Sequence, residues 1–166
     1  TVPEFKLCTL GPSDVISSHF KQYGYWRDCV TLPFLAHWAY NASMDRTEDN
    51  LPTVVEVGGN IGTCTMLMAS QGIHVTVFEP HTKTSALLAR SRSANNFEAR
   101  VKIIAAAVSN DTHEEDGSPR KVRIFTELGN SGNTFVGGAS SSSSSQTQQK
   151  GAGGRRVSSE TVSATT

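Results

Sequence analysis

Between residues 51 and 126 the spacing of hydrophobic and polar positions changes period several times. TVVEV (53 to 57) is a short β-branched run and reads as a strand, while IGTCTMLMASQG (61 to 72) has helical spacing and closes on Gly72, a residue suited to a left-handed C-terminal cap. HVTVFE (74 to 79) is a second strand. A helix follows over about 82 to 95, with Thr82 as its N-cap and Leu87, Leu88 and Ala94 apolar, and then the strand VKIIAAAV (101 to 108). KVRIFT (121 to 126) sets Val122 and Ile124 against Arg123 and reads as a fourth strand. Strand, helix, strand, helix, strand predicts an α/β fold in which parallel strands are joined by right-handed crossovers.

The flanks are different. In residues 1 to 50 the pattern is mostly helical: Asp14 can cap a helix over about 15 to 23, and Leu32, Leu35, Trp38 and Ala39 form one apolar stripe over about 29 to 41. These predict a helical cap segment on the sheet, with Tyr23, Tyr25, Trp26 and Trp38 as core filling. Residues 137 to 166, rich in Ser and Gly, offer almost nothing to bury and predict a disordered tail, with Arg155 and Arg156 in a solvated linker. The expected organisation is therefore a cap over 1 to 50, a nucleotide-binding core over 51 to 136, and a tail over 137 to 166.

Charge narrows the choice of partner. Fifteen basic and fifteen acidic residues balance, so the chain has no electrostatic case for nucleic acid or an anionic membrane surface. A small molecule is the better fit. No apolar run reaches the roughly 20 residues of a membrane-spanning helix, and the first residues, TVPEFKLC, lack the regions of a signal peptide, although a start at threonine leaves an upstream segment and the compartment open. Cys8, Cys29 and Cys64 are odd in number and far apart, which predicts buried thiols and no metal site. The triplets Asn41-Ala42-Ser43 and Asn110-Asp111-Thr112 are of the glycosylation type, but such triplets arise by chance in any chain with several asparagines.

The chemistry concentrates in EVGGNIGT, residues 56 to 63, where the first strand should pass through a glycine-bearing loop into a helix. In an open parallel sheet, ligands bind beyond the carboxyl ends of the strands. A dinucleotide loop needs G-x-G-x-x-G, and its second glycine lets pyrophosphate press on bare backbone. With Gly58 as the first glycine, Asn60 and Thr63 replace the other two. The pattern that does fit is Glu56-x-Gly58-x-Asn60-x-Gly62. S-adenosylmethionine has no pyrophosphate and asks only for a tight turn close to an amino-acid tail and a ribose. Asparagine tolerates positive φ and can itself hydrogen-bond. Glu79 ends the second strand in VTVFEP, where a carboxylate can accept both ribose hydroxyls, of this ligand or of NAD alike.

These residues resemble the FkbM-like methyltransferases. EVGGNIGT is similar to that family's acidic-x-Gly-Ala-Asn-x-Gly loop, with Glu56 and Gly59 as variants, and VFEPHTKTSALL to its Phe-Glu-Pro strand end and following helix. Asn95-Asn96 stands where the family closes that helix with asparagine, and AAAVSND is similar to its Ala-x-Ser-Asp segment. Upstream, DVISSHFKQYGYW is similar to an Asp-x-x-Ile-Ser element ending in Gly-x-Trp, with Ile16-Ser17 one residue early and Arg27 where an acidic residue is common. The resemblance spans roughly residues 14 to 135. It implies a Rossmann-like sheet of the class I methyltransferase type, incomplete here because four strands are visible where seven are expected, so that this stretch alone is expected to have little activity. It also implies that Glu56, Gly58, Asn60 and Gly62 shape the methionine end of an S-adenosylmethionine pocket, that Glu79 holds the ribose, and that the segment of Ala106 and Ala107 lies near the adenine.

The implied activity is methyl transfer to a small-molecule or sugar hydroxyl. It is an in-line displacement in which alignment is the main task and no catalytic residue is strictly demanded. His81, just past Glu79, is a candidate base, more often incidental at such a turn. Two other classes stay in view: a nicotinamide-dependent oxidoreductase, disfavoured by Asn60 and Thr63, and a silent module retaining a degenerate nucleotide pocket.

Overall fold

The computed structural model describes residues 4–42, 51–110, 120–127, 130–137 and 157–165. Its centre is a three-stranded parallel sheet in the order β1-β2-β3, built from Thr53–Val57, His74–Phe78 and Val101–Ile104. Helices α3 (Thr63–Ser70) and α4 (Thr82–Ala94) form the two crossovers. Met66, Met68 and Ala69 of α3 and Leu88 of α4 share one buried cluster with Val75, Val77 and Val101, so both helices lie on the same face of the sheet. Val55 and Val57 alternate to the other face and are 64% and 65% exposed. Among the described residues no helix is long and apolar enough to cross a membrane.

The strand expected over 101 to 108 is broken. After Ile104 the chain turns, with the Ala106 N–H donating back to the Ile104 carbonyl (2.9 Å), and Ala107–Val108 (β4) joins a different sheet. That sheet has the order β4-β7-β5-β6, with β5 at Lys121–Glu127, β6 at Asn130–Gly137 and β7 at Val157–Thr165. β7 pairs antiparallel with the whole of β5 through residues 157 to 163 and parallel with β4 through Ala107 and Val108. The expected disordered tail is thus corrected for residues 157–165, which form a strand whose Val162 is buried against Ala107 and Ile124. Residues 138 to 156, with Arg155 and Arg156, lie outside the described residues, as do Ser43 and the Asp111-Thr112 pair of the two triplets.

In the N-terminal segment, Asp14 caps α1 (Val15–Tyr23) as expected, its carboxylate accepting from the Ser17 N–H at 2.8 Å. Gly24, at φ 75°, ends the helix in the left-handed region. A 3₁₀ turn (Arg27–Cys29) leads into α2 (Leu32–Ala42). The expected inward stripe is corrected: Leu32 and Ala36 pack on the core, while Leu35 and Trp38 are exposed, as are Tyr23 and Tyr25. One turn upstream Cys29 is bonded to Cys64 of α3, which ties the approach to α2 to that helix. That disulfide also corrects the expectation of three buried thiols; Cys8 alone is free.

Candidate functional site

The loop between β1 and α3 meets the ends of β2 and β3 at one place. The Gly58 and Gly59 N–H groups both donate to the Phe78 carbonyl, at 2.8 and 3.2 Å. The Ile104 carbonyl accepts from both Glu79 and Ala106, at 3.0 and 2.9 Å, drawing the turn after β3 against the end of β2. Glu56, Gly58, Asn60, Gly62, Glu79 and Ala106 therefore occupy the carboxyl edge of the sheet and the turns leading from it, while Ala107 begins β4 of the other sheet.

Asn60 has φ 52°, one of two positive-φ residues other than glycine among those described, and its side-chain Oδ1 accepts from the next N–H, of Ile61, at 2.6 Å. The side chain stabilises the left-handed turn that it occupies. Gly58 and Gly62, at φ 83° and 92°, complete a turn for which L side chains are poorly suited, and Gly62 is the N-cap of α3. Gly59 is required for space: a Cβ there would stand 2.2 Å from Val77 Cγ2.

Glu79 is only 5% exposed, and its carboxylate organises the site. Oε2 accepts from the Asn60 N–H at 2.7 Å; Oε1 accepts from the His81 N–H at 2.8 Å and the Thr84 hydroxyl at 3.0 Å. This direct tie between Glu79 and the loop is invisible in the sequence because it is made through a backbone amide. A carboxylate has about four lone-pair positions, so these bonds leave acceptor capacity for a ligand hydroxyl.

Glu56 lies on the helix-covered face of β1 and accepts a hydrogen bond from the Thr65 hydroxyl of α3. Burial pushes its pKa up to about 7; the Thr65 bond opposes this and the nearby charge of Glu79 adds to it. The folded protein thus holds this proton more tightly than the unfolded chain. The associated stability is complete below about 4.5, the ordinary value, and is lost as pH rises through about 7. Glu56→Gln is expected to remove this dependence, making the variant the more stable by roughly 3 kcal/mol above the window. Denaturant unfolding across that range checks it; parallel pH profiles for variant and wild type would refute the assignment.

His81, not Thr82, is the N-cap of α4: its Nδ1 accepts from the Thr84 N–H at 3.4 Å, and Nε2 lies 3.8 Å from Glu160 Oε1. Both ring nitrogens thus have neighbours, which leaves the candidate base occupied as a structural cap. Glu160 comes from β7 and was missed by sequence reasoning, as were Thr65 and Thr84. The described residues contain no group of three or more His, Cys, Asp or Glu that could hold a metal ion. A groove of about 340 Å³ between α4 and the N-terminal segment is lined by Leu10, Lys83, Leu87 and Arg90 among others and includes none of the loop residues. We place the site at the loop nonetheless, because buried polar groups and positive-φ turns converge there. No family model and no curated protein matches the chain.

Proposed function

We propose that the chain is the nucleoside-binding core of an S-adenosylmethionine-dependent methyltransferase resembling the FkbM-like family, acting on a hydroxyl of a small molecule or glycan. The observation that carries this reading is Asn60. It stands in a left-handed turn between strand and helix, its side chain where a dinucleotide loop needs bare backbone, and its N–H on the carboxylate at the end of β2. Gly58, Asn60 and Gly62 would shape the turn beside the methionine moiety, Glu79 would accept a ribose hydroxyl, and the turn at Ala106 with the start of β4 at Ala107 would border the adenine.

S-adenosylmethionine, when bound, supplies a methyl group on a positively charged sulfur, already activated as a leaving group. The protein's part is to hold and orient, and alignment at reacting distance removes on the order of 7–11 kcal/mol of barrier. Glu56 supports a cationic ligand: burial pushes its pKa up to about 7, and a nearby positive charge would favour the carboxylate. With His81 engaged as a cap, we assign no general base.

A competition experiment tests this reading. S-adenosylhomocysteine is expected to bind the full chain, and a large molar excess of NAD is expected not to displace it. Displacement by NAD, or binding of NAD with no binding of S-adenosylhomocysteine, would replace this proposal with a nicotinamide-dependent oxidoreductase.

A further inference from the structure

Glu160 reaches the site from a strand that is remote in sequence. Its carboxylate accepts from both donors of Thr82, the N–H at 2.8 Å and the hydroxyl at 2.7 Å, across 78 positions of chain. The first turn of α4 contains no acidic residue of its own. The face of β7 that buries Val162 also presents Glu160, two residues away, so the pairing of β7 with β5 and β4 fixes where this carboxylate stands. A chain of contacts then runs inward: Glu160 to Thr82 and His81, His81 to Thr84, Thr84 to Glu79, and Glu79 to the Asn60 N–H.

From this geometry we infer that Glu160 is a specificity-determining residue: it closes the turn beside the ribose position to phosphate, so the site accepts adenine nucleosides whose ribose hydroxyls are free. The inference rests on the reading of Glu79 as the ribose acceptor. A phosphate on the ribose would fall on the turn from Glu79 into α4, where helix N–H groups would otherwise welcome an anion. Glu160 already occupies the Thr82 donors with a negative charge, and His81 takes the Thr84 N–H. Displacing it would leave that charge beside Glu79 and the incoming phosphate, a like-charge arrangement that selects against the wrong ligand.

The test compares S-adenosylhomocysteine and adenosine 2′-monophosphate by calorimetric titration of the full chain, as wild type, Glu160→Gln and Glu160→Lys. Wild type is expected to bind the first and reject the second. In Glu160→Gln the affinity for adenosine 2′-monophosphate relative to S-adenosylhomocysteine should rise at least about tenfold, and Glu160→Lys, which reverses the charge on a partly exposed side chain, should raise it further. Wild-type binding of S-adenosylhomocysteine with no such rise in either variant overturns the inference alone. A wild type that binds neither ligand overturns the ribose assignment as well.

Discussion

Alanine at position 79 is expected to weaken S-adenosylhomocysteine binding at least about tenfold and to destabilise the fold together. The carboxylate is nearly fully buried and takes three donors, the N–H groups of Asn60 and His81 and the hydroxyl of Thr84. Leaving buried donors without an acceptor costs about 1–3 kcal/mol each, so the unfolding free energy should fall by roughly 3 kcal/mol or more. The one acceptor position left on the carboxylate can make a charge-assisted bond to the ribose worth about 1.5–3 kcal/mol, which predicts a roughly tenfold to hundredfold loss of affinity in addition. Glu79→Gln separates the two effects. It keeps an acceptor for the His81 and Thr84 donors while removing the charge, so it should stay folded and still lose affinity. Thermal unfolding and calorimetric titration report the two quantities. A folded Glu79→Ala protein with undiminished affinity would take the ribose contact out of the proposal.

The division of labour at Glu79 shows what the sequence could and could not disclose. Residue type alone pointed to a carboxylate at the end of β2 and to an asparagine suited to positive φ, and both stand where expected. That the one accepts from the backbone of the other could not be read, because an N–H group has no residue identity. For the same reason His81 displaced Thr82 as the cap of α4: either residue offers an acceptor, and only the geometry of the turn decides.

Strand boundaries failed where small residues allowed the chain to change sheets. VKIIAAAV has unbroken strand character, yet the turn at Ala106 splits it, and the second piece finds its partner in residues 157–165. Those residues, VSSETVSAT, do alternate, with Glu160, Val162 and Ala164 at every second position and Val and Thr frequent. The low-complexity stretch before them masked that signal. The correction carries function with it, since the misread segment supplies Glu160 to the candidate site.

Reduction of the Cys29–Cys64 bond is expected to lower stability by about 3–4 kcal/mol, the loop-closure value for a sequence separation of 35. The effect should reach the site. Cys64 is the second residue of α3, two positions after Gly62, and Cys29 is 1% exposed in the turn that launches α2, so the bond clamps the N-terminal segment to the helix that the glycine loop feeds. With the clamp released, the N-terminal segment is held against the first turn of α3 without a covalent tie, and S-adenosylhomocysteine affinity should fall along with stability. Thiol titration of the unfolded protein should find one free group, Cys8, before reduction and three after. Denaturant unfolding with and without a dithiol reductant, and of the Cys29→Ser/Cys64→Ser double variant, measures the energy. Equal unfolding free energies in the two states, or three reactive thiols in the unreduced chain, would show that the cap and the loop are held together by packing and not by this bond.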